Sequence, residues 1–224
     1  MPGADRFPLD LLLEPPADVL QRLLTGWLGL PRSARPRPPS MPLPDALARA
    51  LTTLAGWPGF FRQNLLASVE TVAPVDGLGR FLVEPQGNCA WGFSLADADL
   101  PDPRVWIDDV IDGRRVADPR TSRFLLKMTL LEIVLGGCDL EASPVSPDPG
   151  HGAEPAGGPG PVDALTADDL VADLTRLVAL GPLTWPTTCW FYAGPNELAM
   201  TMDGISGRRE WGWRAGRPGV PAAR

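Results

Sequence analysis

Between Arg80 and Asp118 the chain reads RFLVEPQGNCAWGFSLADADLPDPRVWIDDVIDGRRVAD, and this stretch constrains the fold more than any other. Val83, Trp91 and Phe93, then Val105, Trp106 and Ile107, lie in short runs of β-branched and aromatic residues. Such residues suit a pleated, half-buried surface. Pro85-Gln86-Gly87-Asn88 and Pro101-Asp102-Pro103 break the runs with turn chemistry. The segment is therefore expected to form a curled sheet of short strands and not a catalytic loop.

Helical patterns flank it. Ala17 to Leu30 places Val19, Leu20, Leu23, Leu24, Trp27 and Leu28 on one face, and Pro31 ends the run. Leu43 to Gly56 (LPDALARALTTLAG) starts a second helix, with Pro44 near its first turn and Gly56 as a stop. A first strand is expected within Phe60 to Val72. After the central strands, SRFLLKMTLLEIVL reads as a helix capped by Asp118-Pro119 or Thr121-Ser122 and ended by Gly136-Gly137. Its apolar residues cover much of its circumference, which implies burial against a sheet. A fourth helix is expected from Thr166, with Asp168 and Asp169 in its first turn and Leu170, Leu174, Leu177 and Val178 pointing inward, and TTCWFYAG, ELAMTMDG and RREWGWRAG read as closing strands.

With 224 residues, 44% of them hydrophobic, the chain can bury a sizeable core. The expected organisation is one domain spanning residues 1–224, carrying a Pro-rich loop at 31–42 and a Pro/Gly-rich loop at 143–162. The formal charge of −7 argues against direct nucleic-acid binding, which draws its affinity from Lys and Arg, and favours a basic protein partner. Lys127 is the single lysine; that bias is consistent with a GC-rich genome and carries no functional reading. The N-terminal region lacks the basic and apolar segments of a signal peptide, and no run approaches the ~20 apolar residues of a membrane span, so a cytoplasmic protein is expected. Cys89, Cys138 and Cys189 form no CxxC pair and read as small reduced hydrophobes.

Chemistry-bearing patterns are few. His151, the only histidine, lies in a Pro/Gly-rich loop unsuited to holding an imidazole beside a nucleophile, and GxSxG, P-loop and GxGxxG motifs are absent. Asp97, Asp99, Asp102, Asp108, Asp109 and Asp112 fail as a calcium loop, because Pro101 occupies a ligand position and Asp102 the glycine of the turn. With Glu84 they remain as candidate partner-binding residues, against the simpler reading of a solvated acidic edge. Glu84 paired with one of these Asp residues is the one acid/base arrangement left open. Trp27, Trp91 and Trp106 fall on apolar positions and read as core, whereas Trp211 and Trp213 are expected to be partly exposed. No catalytic residue, metal ligand or cofactor is assigned.

Leu43-Pro44, Glu84, Gln86-Gly87, Trp91, Asp102-Pro103 and Val105-Trp106, followed by the helix SRFLLKMTLLEIVLG, resemble in order and spacing the SUKH superfamily. That group comprises bacterial immunity proteins and relatives of a fungal cell-wall regulator. The resemblance spans about Pro15 to Gly137, with Pro85 and Arg104 departing from the pattern. It implies an α+β fold with a curved, mostly antiparallel sheet and flanking helices, and a non-enzymatic role in binding protein partners. The expected partner is a basic toxin domain, a nuclease being one candidate. The alternative is an intracellular regulatory or scaffold adaptor of the same fold without a toxin partner.

Overall fold

The structure is a computed structural model that describes residues 12, 18–29, 38–57, 59–135, 143–145, 171–184, 188–194, 197–203 and 209–216. His151, Cys138, most of both Pro-rich loops, the start of the helix expected at Thr166, and the side chains of Trp27, Trp211 and Trp213 lie outside the described residues. Past Val171 that expected helix does not continue: Thr175–Arg176 is a strand, Val178–Leu180 a 3-10 turn, and of the side chains expected to point inward Leu177 is buried whereas Val178 is 68% exposed. The fold is α+β, and its strands divide into two antiparallel sheets where the sequence suggested one.

The first sheet, sheet A, runs β1 (Leu65–Leu66), β3 (Leu78–Val83), β4 (Cys89–Ser94), β5 (Val105–Asp109), β6 (Gly113–Asp118), with β2 (Ala73–Val75) also paired to β3. The second, sheet B, runs β7 (Ser143–Val145), β12 (Arg209–Gly216), β11 (Glu197–Asp203), β10 (Thr188–Gly194), β8 (Thr175–Arg176), with β9 (Leu183–Thr184) paired to β10. The three closing segments expected from sequence are β10, β11 and β12. The strand expected over 60–72 shrinks to Leu65–Leu66, because Ser68–Val72 turns on itself through hydrogen bonds to Ser68 and Thr71. An unexpected hairpin joins β2 to β3 through Asp76-Gly77, both with positive φ (50° and 80°), the conformation that a two-residue hairpin loop of this twist requires.

Helix α1 (Val19–Arg22) continues as a π-helical turn at Leu23–Trp27, and α2 covers Asp45–Leu54. Helix α3, Thr121–Val134, is the organising element: twelve of its fourteen residues are buried, so it has neighbours on every side. It packs on β6, on β11 and β12, and on α1 and α2. Phe124 meets the rings of Phe81 and Trp91, each centroid 6.1 Å away. One apolar core, including Leu47, Phe93, Ile107, Leu130, Phe191 and Met200, therefore runs through α3 from sheet A to sheet B. An all-round apolar helix is stable only in such a place.

Three charged residues lie against that helix without solvent. Lys127 forms an ion pair with Asp118 and donates to the carbonyl of Pro182 at 2.8 Å, tying the end of β6 to the loop before β9. Desolvation lowers the Lys127 pKa, and the neighbouring Asp118 opposes that shift. Glu132 is fully buried and accepts the backbone N–H groups of Arg62, Gln63 and Asn64 at 2.8, 3.0 and 3.1 Å. Burial raises its pKa against those hydrogen bonds. Neither group was singled out from sequence.

The N-terminus of α3 corrects the expected cap. Asp118 accepts from Arg120 N–H, but neither Asp118 nor the Thr121 or Ser122 side chain caps the helix. Asp102, twenty residues upstream, does so: its carboxylate accepts from Ser122 N–H at 2.8 Å and from Ser122 Oγ at 2.6 Å.

Candidate partner-binding surfaces

Strand β4 pairs Gly92 with Trp106 and Trp91 with Ile107, so alternate residues of β5 face opposite sides. Trp91 and Ile107 enter the core, whereas Trp106 is half-buried on the outer face, contrary to its expected core position. Gly92 lies beneath it because a Cβ there would sit 2.8 Å from the carbonyl of Gly79. On that outer face Asp108 bridges Arg80 at 2.8 Å and Arg114 at 3.3 Å. Arg114 also donates to the carbonyl of Asp76 at 2.9 Å.

The seven candidate acids do not share one edge; they fall at the two ends of sheet A. Glu84, Asp108, Asp109 and Asp112 belong to the end where β3 turns into β4 and β5 into β6. Asp97, Asp99 and Asp102 belong to the loop between β4 and β5 at the opposite end. Five residue steps along β4, at ~3.3 Å each, separate the ends by about 16 Å.

At the first end the acids work within the fold. Glu84 is buried and its carboxylate accepts from Asn88 N–H at 3.1 Å, closing the β3–β4 turn. Asp109 accepts from the N–H groups of Ile111 and Asp112 at 2.9 and 3.2 Å. Those two backbone hydrogen bonds, helped by Arg115, hold its carboxyl below the usual carboxylate range. Arg115 reaches both Asp109 and Asp112 at 3.4 Å. Gly113, paired with Asp109 across the hairpin, takes φ 71°, a left-handed conformation that glycine adopts without strain. The tip this builds is apolar: Val110 is 73% and Ile111 89% exposed, with Leu65, opposite Val83 on the same end, 61% exposed. Sequence reasoning missed all three. The available signal was two aliphatics placed inside an Asp-Val-Ile-Asp-Gly turn, where no core can receive them.

At the other end Asp102 is consumed as the cap of α3, but Asp97 and Asp99 have no cation partner among the described residues. The N-terminus of α2 joins them, since Ala46 N–H donates to the carbonyl of Pro101 at 2.9 Å and brings the exposed Asp45 alongside. Leu100, 50% exposed, lies in the same loop. Ser94 accepts from Ala96 N–H and Leu100 N–H donates to the carbonyl of Asp97, giving the loop internal structure.

Among the described residues, no group of three or more His, Cys, Asp or Glu is placed to hold a metal ion, and no helix is long and apolar enough to cross a membrane. Cys89 and Cys189 are buried thiols outside any disulfide, and burial, with Asp203 nearby, pushes Cys189 up to about 12. The geometry is that of an α+β protein in which one helix is enclosed by two antiparallel sheets, and among the described residues the candidate acids lie in loops and turns at the ends of sheet A. No family model, curated protein or solved structure matches the chain.

Proposed function

We propose that this chain is a non-enzymatic protein-binding module acting in the cytoplasm, an immunity protein of the SUKH type that binds and neutralises a basic toxin domain. The observation that carries the reading is the loop at 95–101, which holds Asp97, Asp99 and an exposed Leu100 next to Asp45 at the start of α2, with no described cation paired with these acids. Free carboxylates on a chain of net charge −7 steer a basic partner and speed its encounter. Leu100 then supplies the apolar contact that carriers of charge alone lack.

The test is co-expression with a panel of basic nuclease toxin domains. Growth rescue by the wild type, lost in an Asp97→Lys/Asp99→Lys variant of unchanged thermal midpoint, is the expected result. Full rescue by that variant would remove the 95–101 loop from the interface. Absence of rescue by the wild type against every such domain would favour the adaptor reading instead.

A further inference from the structure

We propose that Pro101-Asp102-Pro103 is a clamp that sets the shape of the 95–101 loop, and that Asp102 is a positioning residue for partner binding, acting through that shape and not through a contact of its own charge. The inference rests on the partner-binding reading of the loop. Residues at the start of α2 and α3 carry backbone N–H groups with no partner inside their own helix. The tripeptide answers three of them: Ala46 N–H donates to the carbonyl of Pro101 at 2.9 Å, Thr121 N–H to the carbonyl of Pro103 at 2.8 Å, and Ser122 N–H to the Asp102 carboxylate at 2.8 Å. The Thr121 and Ser122 hydroxyls add two more bonds, to the Pro103 carbonyl at 2.8 Å and to Asp102 at 2.6 Å.

The residue types suit the task. Proline has no N–H and a fixed φ, so two prolines around an aspartate offer acceptors in a stiff frame. The helices they grip are themselves fixed: α2 buries Leu47, Leu51 and Leu54, and α3 is buried along twelve of its fourteen residues. Pro103 and Thr121 are buried too, which shields their bonds from competing water.

The loop is anchored at its other end as well, where Leu95 N–H donates to the carbonyl of Gly77 at 3.0 Å. Between the two anchorages, Ala98 N–H donates to the carbonyl of Leu95 at 3.4 Å and Leu100 N–H to that of Asp97 at 3.0 Å. Asp97, Asp99 and Leu100 are thus displayed by a short segment fixed from both sides. A loop fixed beforehand spares a partner the entropy of ordering it. Asp102 differs from the other two acids because both of its carboxylate oxygens are occupied by Ser122. What it contributes to a partner is the geometry in which Asp97 and Asp99 are presented.

The experiment is hydrogen–deuterium exchange on the full chain, comparing the wild type with Asp102→Ala and Asp102→Asn. Alanine removes the side-chain acceptor, whereas asparagine keeps Oδ1 for Ser122 N–H and its amide can donate to the Ser122 hydroxyl. Asp102→Ala should speed exchange across residues 95–100 about fivefold or more beyond any change in the β10 and β11 amides, which follow global unfolding, while Asp102→Asn stays near wild type. Against a basic nuclease toxin domain that the wild type neutralises, Asp102→Ala should weaken binding about fivefold, Asp102→Asn should keep wild-type affinity, and Asp97→Asn/Asp99→Asn should slow association. Unchanged loop exchange in Asp102→Ala, or an Asp102→Asn variant that loses as much affinity as Asp97→Asn/Asp99→Asn, would overturn the proposal. Neutralisation of no toxin domain, with the exchange contrast intact, would leave the clamp standing and overturn the partner-binding reading instead.

Discussion

The surroundings of α3 and the 95–101 loop use the same residue type for opposite ends. Around the helix, Asp118 and Glu132 are buried and matched by a lysine or by three backbone N–H groups, and Asp102 caps the first turn. In the loop, Asp97 and Asp99 have no described cation partner. A carboxylate inside the fold is a structural commitment because removing its partner leaves an unsatisfied charge in a poorly solvating interior. A carboxylate in the loop remains hydrated and available to another protein. The count of acids in the sequence says nothing of this division.

The largest effect should come from splitting the buried pair. Asp118→Ala leaves Lys127 buried without its counter-charge, and a loss of about 3–5 kcal/mol in urea unfolding is expected. The double variant Asp118→Leu/Lys127→Met should recover most of that loss, which would identify unpaired burial and not the ion pair itself as the source; equal destabilisation in both would break the comparison.

Next comes Glu132. Its folded pKa is raised, so the native state binds its proton more readily than the unfolded chain, whose carboxyl titrates near 4.5. The associated stability is present below that value and is lost as pH rises through the folded pKa. Lys127 works in the opposite direction on the alkaline side: its lowered folded pKa makes stability increase as pH climbs toward 10.5. Glu132→Gln should remove the acid limb and cost about 1–3 kcal/mol at neutral pH, because an amide N–H₂ replaces an acceptor facing donor groups. Thermal midpoints measured across pH would check both limbs, and an unaltered acid limb in the variant would assign it elsewhere.

The smallest effect gives the sharpest contrast. Asp102→Ala should lower stability by about 1 kcal/mol through loss of the α3 cap, whereas Asp97→Ala, five residues away, should stay within about 0.5 kcal/mol. Chemical denaturation of the two variants side by side tests this, and equal losses would show that the loop acid is also structural.

Much of this architecture is legible in the sequence. The turn chemistry at 85–88 and 101–103 separates β3, β4 and β5, and the apolar periodicity of LPDALARALTTLAG locates α2. The apolar circumference of α3 marks it as buried, although its enclosure by two sheets is not visible, because a sheet-facing helix and an enclosed one share that pattern. Trp106 shows the limit of local reading: it has the same aromatic character as Trp91, and only the pairing register sends one outward and the other inward. The candidate acids were legible as types but not as a surface, since strand length and turn direction distribute them to two ends.

The sequence by itself determined the central strands and turns, the helices α2 and α3 and the three closing strands, because φ/ψ preferences and apolar spacing are local properties, but not the β2–β3 hairpin or the short strands at 65–66 and 175–176. Only the tertiary structure decided which carboxylates are consumed and which are free. The cap of α3 comes from twenty residues upstream, the partner of Lys127 lies at the end of β6, and the loop held by Glu132 is about seventy residues away along the chain. Hydrogen bonds and ion pairs act over a few ångströms of space whatever the separation in sequence, so the availability of a charged group to a partner is settled by packing.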